Sequence, residues 1–363
     1  MLCIFIDALN PKYLGYMPFL NSLKKQCLYG SLEVPLGYTG IIASFVTGMH
    51  PEEHRIFDLF VPAEKRSCRI KNRYLLAAIR LLQNKRIFYT PMPVKEADYF
   101  KPSLDKTWAQ KNCLNQKTIF DILEKNGRSF EVIDWPNHFK GRKAGILFQK
   151  SCKKALNLAK KSKADFVLVH FLDLETAHES GIDSVQVRNA ARIIDNAVRE
   201  LYEKDRDILI FSDHGMNDIK QEINIQKEIS KLNLQFGRDL LYIIGSTTVE
   251  FWFRNRTAEQ KIKKLLKRIK CGSIINQKDF RIKTGSDMIF LADLRKAFYP
   301  NFFSKFHFRA MHGWNPKEQK TAYFLKNHLE VKGMKNAKMV DFFPTILGLM
   351  GLPKEKCDGI SLI

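Results

Sequence analysis

Short, continuous apolar runs that end on polar residues constrain the fold of this chain most. They are LCIFIDA (2–8), FEVIDW (130–135), FVLVHF (166–171) and DILIF (207–211). Runs of this length, without polar alternation, are typical of strands buried on both faces. Between the last two runs lies VQVRNAARIIDNAVRELYE (185–203), whose apolar positions trace one helical face. The alternation predicts an α/β fold, with a mostly parallel sheet and helices on both faces.

The predicted domain organisation rests on the length of the chain and on the segment in which strands no longer alternate with helices. The chain has 363 residues, enough for one large domain with an insertion, so a single catalytic domain over 1–363 is predicted. From about 62 to 115 the sequence is basic and mixes the helical run NRYLLAAIRLLQ with the proline-bearing turns of YTPMPVKEADYFKP. We expect an inserted cap or lid there. A second irregular region, roughly 225–300, is expected to contribute another part of the cap.

Charge and composition narrow the class of protein. The net charge is +22, but the basic residues are dispersed, as in KKALNLAKKSK (153–163) and KIKKLLKRIK (261–270). The apolar positions of both segments have helical spacing, so their lysines are expected to form solvated faces, and no specific nucleic-acid partner is predicted. No apolar run approaches the roughly 18–20 residues that a membrane span requires. The N-terminus lacks the features of a signal peptide, so a cytoplasmic location is expected.

Carboxylates and imidazoles follow successive predicted strands. The residues are Asp7, then Asp173, Glu175 and His178, then Asp213 and His214 in SDHGM, and His312 in RAMHGWNP. Because the carboxyl ends of parallel strands meet at one edge of a sheet, we expect these groups to converge. An oxygen and imidazole set without thiolates suits zinc, manganese or iron rather than calcium. Two such metal ions, roughly 3.5–4 Å apart, would form a clamp for in-line displacement at phosphorus.

Each of these residues alone has an ordinary explanation, and their joint occurrence carries the metal hypothesis. A lone Asp after a strand is typical of a helix cap. The seven cysteines show no CxxC spacing, which argues against a thiolate metal site or a disulfide framework. The remaining histidines are interpreted as structural residues: His50, His54, His138, His170, His307 and His328.

One further segment offers a nucleophile. SLEVPLGYTGIIASFVTGMHPEEHRIFD (31–58) places Thr39 in a glycine-flanked turn before an apolar helical run. A helix N-terminus favours an anion. The pKa of a threonine hydroxyl is too high for unaided reaction, so a bound metal is the natural activator. An N-cap threonine is the alternative for Thr39 considered alone.

These motifs resemble the alkaline phosphatase superfamily and, within it, the type I phosphodiesterase / nucleotide pyrophosphatase branch. The resemblance spans nearly the whole chain. FIDAL is similar to the segment with the first metal-ligand Asp, and YTGIIASFVTGMHPEEHRI to the nucleophile helix. SDHGM is the most specific signature, MHGW resembles the last His-Gly, and MVDFFPTILGLMGLPKEKCDGISL resembles the C-terminal segment.

The resemblance implies two divalent ions, with zinc favoured over manganese or iron. It assigns Asp7, Thr39, Asp213 and His214 to one ion, and Asp173, His178 and His312 to the other. Thr39 would attack phosphorus and form a phospho-threonine, which water then hydrolyses. Tyr38 and Gly40 are expected to contribute to substrate binding. The substrate would be a phosphorylated small molecule, nucleotide, lipid or sugar, and the oligomeric state is left open.

Three departures from the family pattern bear on these assignments. The family's D-x-x-GH motif has Asp four residues before the His, where this chain has Leu174. Asp173 and Glu175 flank it, and Asp173 is favoured. The Asn that often follows the nucleophile has no clear counterpart. The spacing to VTG puts Tyr38 or Thr39 on the nucleophile position, and Thr39 is the chemically sensible choice.

The predicted function is a metal-dependent phosphoester hydrolase of the phosphodiesterase / nucleotide pyrophosphatase type. One alternative is a phosphomonoesterase or phosphotransferase at the same site. Another, from a different class, is a basic nucleic-acid or surface-binding protein on a degenerate phosphatase fold. A sulfatase is disfavoured, because the Cys- or Ser-x-Pro-x-Arg segment that yields formylglycine is absent from the sequence.

Overall fold

The computed structural model describes residues 1–63, 94–104, 106, 108–133, 138–145, 151–203, 205–304 and 306–363. The α-helices in these ranges are α1 (Pro18–Ser22), α2 (Thr39–Thr47), α3 (Pro51–His54), α4 (Val94–Ala97), α5 (Ile119–Lys125), α6 (Cys152–Lys161), α7 (Ala177–Ser180), α8 (Val185–Leu201), α9 (Ile225–Ser230), α10 (Arg256–Ile269) and α11 (Phe342–Leu349). The strands are β1 (Leu2–Ile6), β2 (Leu28–Glu33), β3 (Phe60–Pro62), β4 (Phe100–Pro102), β5 (Phe130–Ile133), β6 (His138–Lys140), β7 (Lys143–Gly145), β8 (Phe166–Phe171), β9 (Ile208–Phe211), β10 (Asn217–Asp218), β11 (Gln221–Ile223), β12 (Leu240–Ile244), β13 (Thr248–Phe253), β14 (Gly272–Ile275), β15 (Met288–Ala292), β16 (Lys296–Phe298), β17 (Ala310–Met311), β18 (Thr321–Lys326), β19 (Gly333–Met334) and β20 (Ala337–Lys338).

The four predicted strands form the centre of the main sheet. Its order is β19-β2-β18-β9-β1-β8-β5-β6-β7, with β20 also paired to β2. Strands β9, β1, β8 and β5 run parallel, while β18 is antiparallel to β9 and β2. β1 lies between β8 and β9, so the polar residues that follow these three strands share one edge of the sheet. The predicted mostly parallel α/β sheet is confirmed.

Alternate residues of β1 explain why helices cover both faces. Leu2, Ile4 and Ile6 pack into a core that includes α8, while Cys3 and Phe5 pack into a second core with α2, α5 and α11. The side-chain period of two sends successive residues to opposite faces. Because both faces are buried, the strand sequence is continuously apolar.

A second, smaller sheet occupies the region that we expected to be irregular. It is antiparallel, in the order β12-β13-β15-β14, and α10 packs Ile262 and Leu265 against its core. Its other face contributes Ile289 to a cluster with Leu36 and Phe57, which lie on either side of α2 in the sequence. The expectation of irregular structure over 225–300 is therefore wrong where this sheet forms, and the sheet supports the start of α2.

Most of the predicted cap over 62–115 lies outside the described residues. Its described ends meet, because β3 pairs antiparallel with β4. The chain thus leaves and re-enters the fold at one place, and the cap stays a prediction. Within the described ranges, no helix combines the length and apolarity that crossing a bilayer requires.

Candidate metal centre

The turn after β9 is shaped by one buried serine. The Ser212 hydroxyl accepts a hydrogen bond from the Leu9 N–H at 2.9 Å and donates to the His214 carbonyl at 2.9 Å. This ties the SDHGM turn to the segment after β1. A side chain at Gly215 would lie 2.0 Å from the Lys320 carbonyl oxygen, so only glycine fits there. Asp213 and His214 are thereby presented toward Asp7.

Asp7 and His312 approach from the two sides of this turn. The Asp7 N–H donates to the Phe171 carbonyl at 2.9 Å, so its carboxylate lies just beyond the sheet edge. His312 follows β17, which pairs antiparallel with β10 directly after SDHGM. The short β10–β17 ribbon therefore brings MHGW to SDHGM across about a hundred residues of sequence.

The ligand atoms form two groups that share His214. Asp7, Asp213 and His214 make one group, and Glu175, His214 and His312 the other, with the ligand atoms of each within 4.8 Å of one another. His214 Nε2 lies 3.3 Å from Asp7 Oδ1 and 3.6 Å from Glu175 Oε1. The His214 and His312 rings stack with centroids 3.5 Å apart. A group with both carboxylate and imidazole donors matches the ligand preference of zinc, manganese or iron.

His178 lies beside the second group and contacts Glu175. Its Nδ1 lies 2.6 Å from Glu175 Oε2, and its ring lies 5.5 Å from the His312 ring. Residues three apart lie on the same side of a helix, which is how Glu175 and His178 meet.

Buried polar atoms without hydrogen-bond partners converge here. They are Asp7 Oδ1, Glu175 Oε1, His178 Nε2, Asp213 Oδ1 and His312 Nδ1. Leaving such an atom unpaired costs about 1–3 kcal/mol, so this concentration is unfavourable for a purely structural cluster. All five atoms are ordinary metal-ligand types. The residues present therefore fit divalent cations.

The His214 tautomer is consistent with that fit. Its Nδ1 lies 3.0 Å from the Gly215 carbonyl oxygen, and a carbonyl can only accept, so Nδ1 carries a proton. Nε2 is then the nitrogen that a metal ion would bind, in exchange for the second proton that Asp213 and Asp7 favour on the metal-free ring, and a backbone carbonyl is a common partner for the other nitrogen of a metal-binding His.

Electrostatics within the group push the pKa values apart. Burial, and then the Asp7 charge, raise the pKa of Asp213 to about 8. Burial opposes protonation of His214, but Asp213 and Asp7 outweigh it and raise its pKa to about 10. Burial and the neighbouring His214 hold the pKa of His312 well below its ordinary value. A cluster in which some pKa values are raised and others are lowered is typical of a functional site.

The structure brings Glu175 into this group in place of the expected Asp173. Asp173 Oδ2 accepts a hydrogen bond from the Cys152 N–H at 3.1 Å, at the first residue of α6, and burial raises the pKa of this carboxyl. Residues 173–176 form a 3-10 helix, in which each residue turns about 120° from the last. Asp173 and Glu175 therefore point in different directions, and Glu175 shares the side of His178.

Helix α2 begins beside the second group. Thr39 is its first residue, and the ring of the preceding Tyr38 contacts His312 edge-on at 5.0 Å. The Tyr38 hydroxyl lies 3.0 Å from Thr247 Oγ1, in the turn between β12 and β13 of the smaller sheet. At Gly40, an added Cβ would stand 2.4 Å from the Ile56 carbonyl oxygen. Tyr38 and Gly40 thus fix the start of α2 against its surroundings.

Of the histidines interpreted as structural, His170 contacts the candidate site, whereas His54 is held by hydrogen bonds elsewhere. His170 Nε2 lies 2.9 Å from Asp7 Oδ2, so His170 borders the candidate site, which single-residue reasoning missed. The only signal was its place in the strand next to β1. His54, by contrast, accepts the Ile56 N–H at Nδ1, so its Nε2–H donates to the Ser44 hydroxyl at 3.0 Å. His54 therefore cannot act as a base toward Ser44.

A cleft of about 730 Å³ opens beside His178. It is lined by Ser180–Ser184, Asp218–Glu222, Phe308 and Arg309. The Phe308 ring lies 5.1 Å from the His178 ring, and the Arg309 N–H donates to the His178 carbonyl at 2.6 Å. The volume lies within the roughly 300–1,000 Å³ of small-molecule sites. We call it the His178 cleft.

Comparison with known proteins identifies the fold and the family. The sequence model of the type I phosphodiesterase / nucleotide pyrophosphatase family matches residues 1–303 of this chain. An inactive threonine-to-alanine variant of murine ectonucleotide pyrophosphatase / phosphodiesterase 5, in complex with AMP, is similar with a TM-score of 0.68 and 12% identity, covering 99% of this chain and 96% of the murine one. The human protein of the same name gives a TM-score of 0.65 and 14% identity, with coverages of 99% and 96%. No curated protein sequence matches the chain.

At these identities the solved structures establish the fold alone, and they confirm the predicted alkaline-phosphatase-like architecture. The family match covers well over half of the 363 residues and includes the segments that carry Asp7, Thr39 and Asp213. The chain therefore belongs to the type I phosphodiesterase / nucleotide pyrophosphatase family, whose members are hydrolases of phosphodiester and pyrophosphate bonds.

Proposed function

We propose that this hydrolase uses Thr39 as nucleophile and two divalent metal ions. One ion would be held by Asp7, Asp213 and His214, and the other by Glu175, His178 and His312. Glu175 replaces Asp173 in this proposal because Asp173 caps α6. The observation that carries the proposal is the set of five buried, unpartnered ligand atoms contributed by these residues.

The reaction is a displacement at phosphorus. When bound, the two ions supply positive charge that stabilises the attacking and leaving oxygens. The Thr39 hydroxyl, at the start of α2, would give its proton to solvent and form a bond to phosphorus while the bond to the leaving oxygen breaks. The leaving group would depart into solvent, which supplies any proton that it takes up. Water would then hydrolyse the phospho-threonine. The N-terminal end of α2 favours the negative charge of the transferred group.

The substrate class is a phosphodiester or pyrophosphate of the nucleotide type. The family supports this class, and the His178 cleft is large enough for a substituent of nucleotide size. Its lining includes the cationic residues Lys220 and Arg309 and the aromatic Phe308, together with the carboxylates of Asp183, Asp218 and Glu222.

Steady-state assays on metal-loaded protein test the proposal. We expect bis-p-nitrophenyl phosphate to be hydrolysed faster than p-nitrophenyl phosphate. We expect Thr39→Ala to lower kcat by roughly 10⁴-fold or more, as loss of a nucleophile does elsewhere, and Thr39→Ser to retain measurable turnover. A clear monoester preference would instead favour a phosphomonoesterase. If Thr39→Ala stays active while Asp213→Ala is inactive, Thr39 is not the nucleophile.

A further inference from the structure

We propose that His170 is a positioning residue that selects which Asp7 oxygen is presented to a metal ion. The inference deepens the proposed function and rests on it. It concerns a residue that belongs to neither of the two ligand groups found among the described residues, yet contacts the carboxylate of one group directly.

The strand register brings His170 to Asp7. In the parallel pairing of β1 and β8, Phe5 stands opposite His170. The His170 ring stacks on the Phe5 ring with centroids 4.1 Å apart and an interplanar angle of 6°. Residues two apart lie on the same side of a strand, so Asp7 continues the side of Phe5. The stacked imidazole is thereby aimed along β1 at the Asp7 carboxylate.

Both partners are held in place by burial. The residues His170 and Asp7 are 6% and 8% exposed, and Phe5 is 1% exposed. The His170 ring cannot swing away without losing its stacking on Phe5, and little water is available to replace its hydrogen bond. An imidazole so confined fixes the orientation of its carboxylate partner.

The two oxygens of Asp7 consequently differ. Oδ2 lies 2.9 Å from His170 Nε2. Oδ1 has no hydrogen-bond partner and lies 3.3 Å from His214 Nε2, on the side of the ligand group. With Oδ2 held by His170, the carboxylate presents Oδ1 in a single orientation. Such outer hydrogen bonds typically change metal affinity by roughly 10–100-fold.

Three substitutions separate the hydrogen bond from packing. His170→Phe keeps a flat ring over Phe5 and removes the donor. His170→Gln carries an amide N–H at about the distance of Nε2 from the backbone, whereas His170→Asn carries the same amide too short to reach. A matched control is His138→Phe, since His138 is also buried and its Nε2 lies 2.6 Å from Glu131 Oε1, outside both ligand groups.

The test is metal binding rather than turnover. Zn²⁺ and Mn²⁺ are titrated into the metal-stripped full-length chain in competition with a chromogenic chelator. We expect wild type and His138→Phe to bind two ions, and His170→Phe and His170→Asn to bind one of the two roughly 10–100-fold more weakly. His170→Gln should recover to within a few-fold of wild type. If His170→Phe does not fold, the Gln and Asn pair supplies the comparison.

The outcomes distinguish this inference from the proposed function. Two ions bound by wild type and by His170→Phe or His170→Asn with equal affinity would overturn the positioning role alone. Equal weakening by the Gln and Asn variants would overturn it as well, since only Gln restores the donor. A wild-type protein that binds no metal would overturn the two-metal proposal and this inference with it.

Discussion

Replacing Glu175 by Gln tests the least expected feature of the candidate centre. The substitution keeps the length of the side chain and removes its negative charge. Glu175 Oε1 lies 3.6 Å from His214 Nε2, and Oε2 lies 2.6 Å from His178 Nδ1. A carboxylate and one unit of positive charge on a bound ion about 4 Å away attract each other by about 4 kcal/mol at an effective dielectric constant of 20. Glu175→Gln removes this attraction. We therefore expect the affinity for one metal ion to fall roughly a thousandfold.

Asp173→Asn is the matched control, because it also neutralises a carboxylate in the same turn. Asp173 accepts the Cys152 N–H at the start of α6, and Asn can still accept that bond. Burial opposes the charge of this carboxylate, while the helix N-terminus favours it, so neutralising it should change the unfolding free energy by less than about 1 kcal/mol. Metal affinity should be unchanged.

Isothermal titration of the metal-stripped variants, combined with urea unfolding, measures both effects. Glu175→Gln should lose affinity at one site, and Asp173→Asn should keep both its metal affinity and, within about 1 kcal/mol, its unfolding free energy. The reverse pattern, with metal binding lost in Asp173→Asn and kept in Glu175→Gln, would refute the orientation of the 173–176 turn and restore Asp173 as the ligand.

Two further predictions concern pH and packing. Because the pKa of Asp213 is raised from 3.8 to about 8, the folded metal-free protein retains a proton there that the unfolded chain releases. Its unfolding free energy should fall as pH rises between about 4 and 8, and this group alone contributes up to roughly 6 kcal/mol. Urea unfolding in EDTA should show the decline in wild type and a smaller one in Asp213→Asn, and identical profiles would contradict it. Gly40→Ala places a Cβ 2.4 Å from the Ile56 carbonyl oxygen, so it should lower the unfolding free energy by about 1–3 kcal/mol. Gly348→Ala adds a Cβ where α11 has open space, so it should raise the unfolding free energy by about 0.5–1 kcal/mol. Equal melting temperatures for the two variants would contradict the close packing of α2.

The central sheet and the convergence of the motifs could be predicted because they depend on local pattern. Buried parallel strands are continuously apolar, so LCIFIDA and FVLVHF are recognisable without a structure. Their carboxyl ends meet at one edge by topology, which places Asp7 and Asp213 together. The residue types at those ends then indicate metal chemistry.

The choice between Asp173 and Glu175 could not be predicted, because it depends on the backbone conformation of four residues. An extended turn and a 3-10 helix send these two side chains in different directions. His170 was missed for a related reason. Its role depends on a cross-strand register between residues 163 positions apart, which no local pattern reports.

The smaller sheet was missed because its signals are mixed. TVEFWF carries the buried Glu250 within an apolar strand, and basic residues dominate the neighbouring α10. The cap over 62–115 and the cytoplasmic location stay predictions.

Anomalous diffraction from crystals grown with Zn²⁺ or Mn²⁺ tests the two-metal proposal most directly. We predict two anomalous peaks, one contacting Asp7, Asp213 and His214 and the other contacting Glu175, His178 and His312. A crystal soaked at saturating metal that shows no peak among these residues, or a peak at Asp173 with none at Glu175, would contradict the proposed centre.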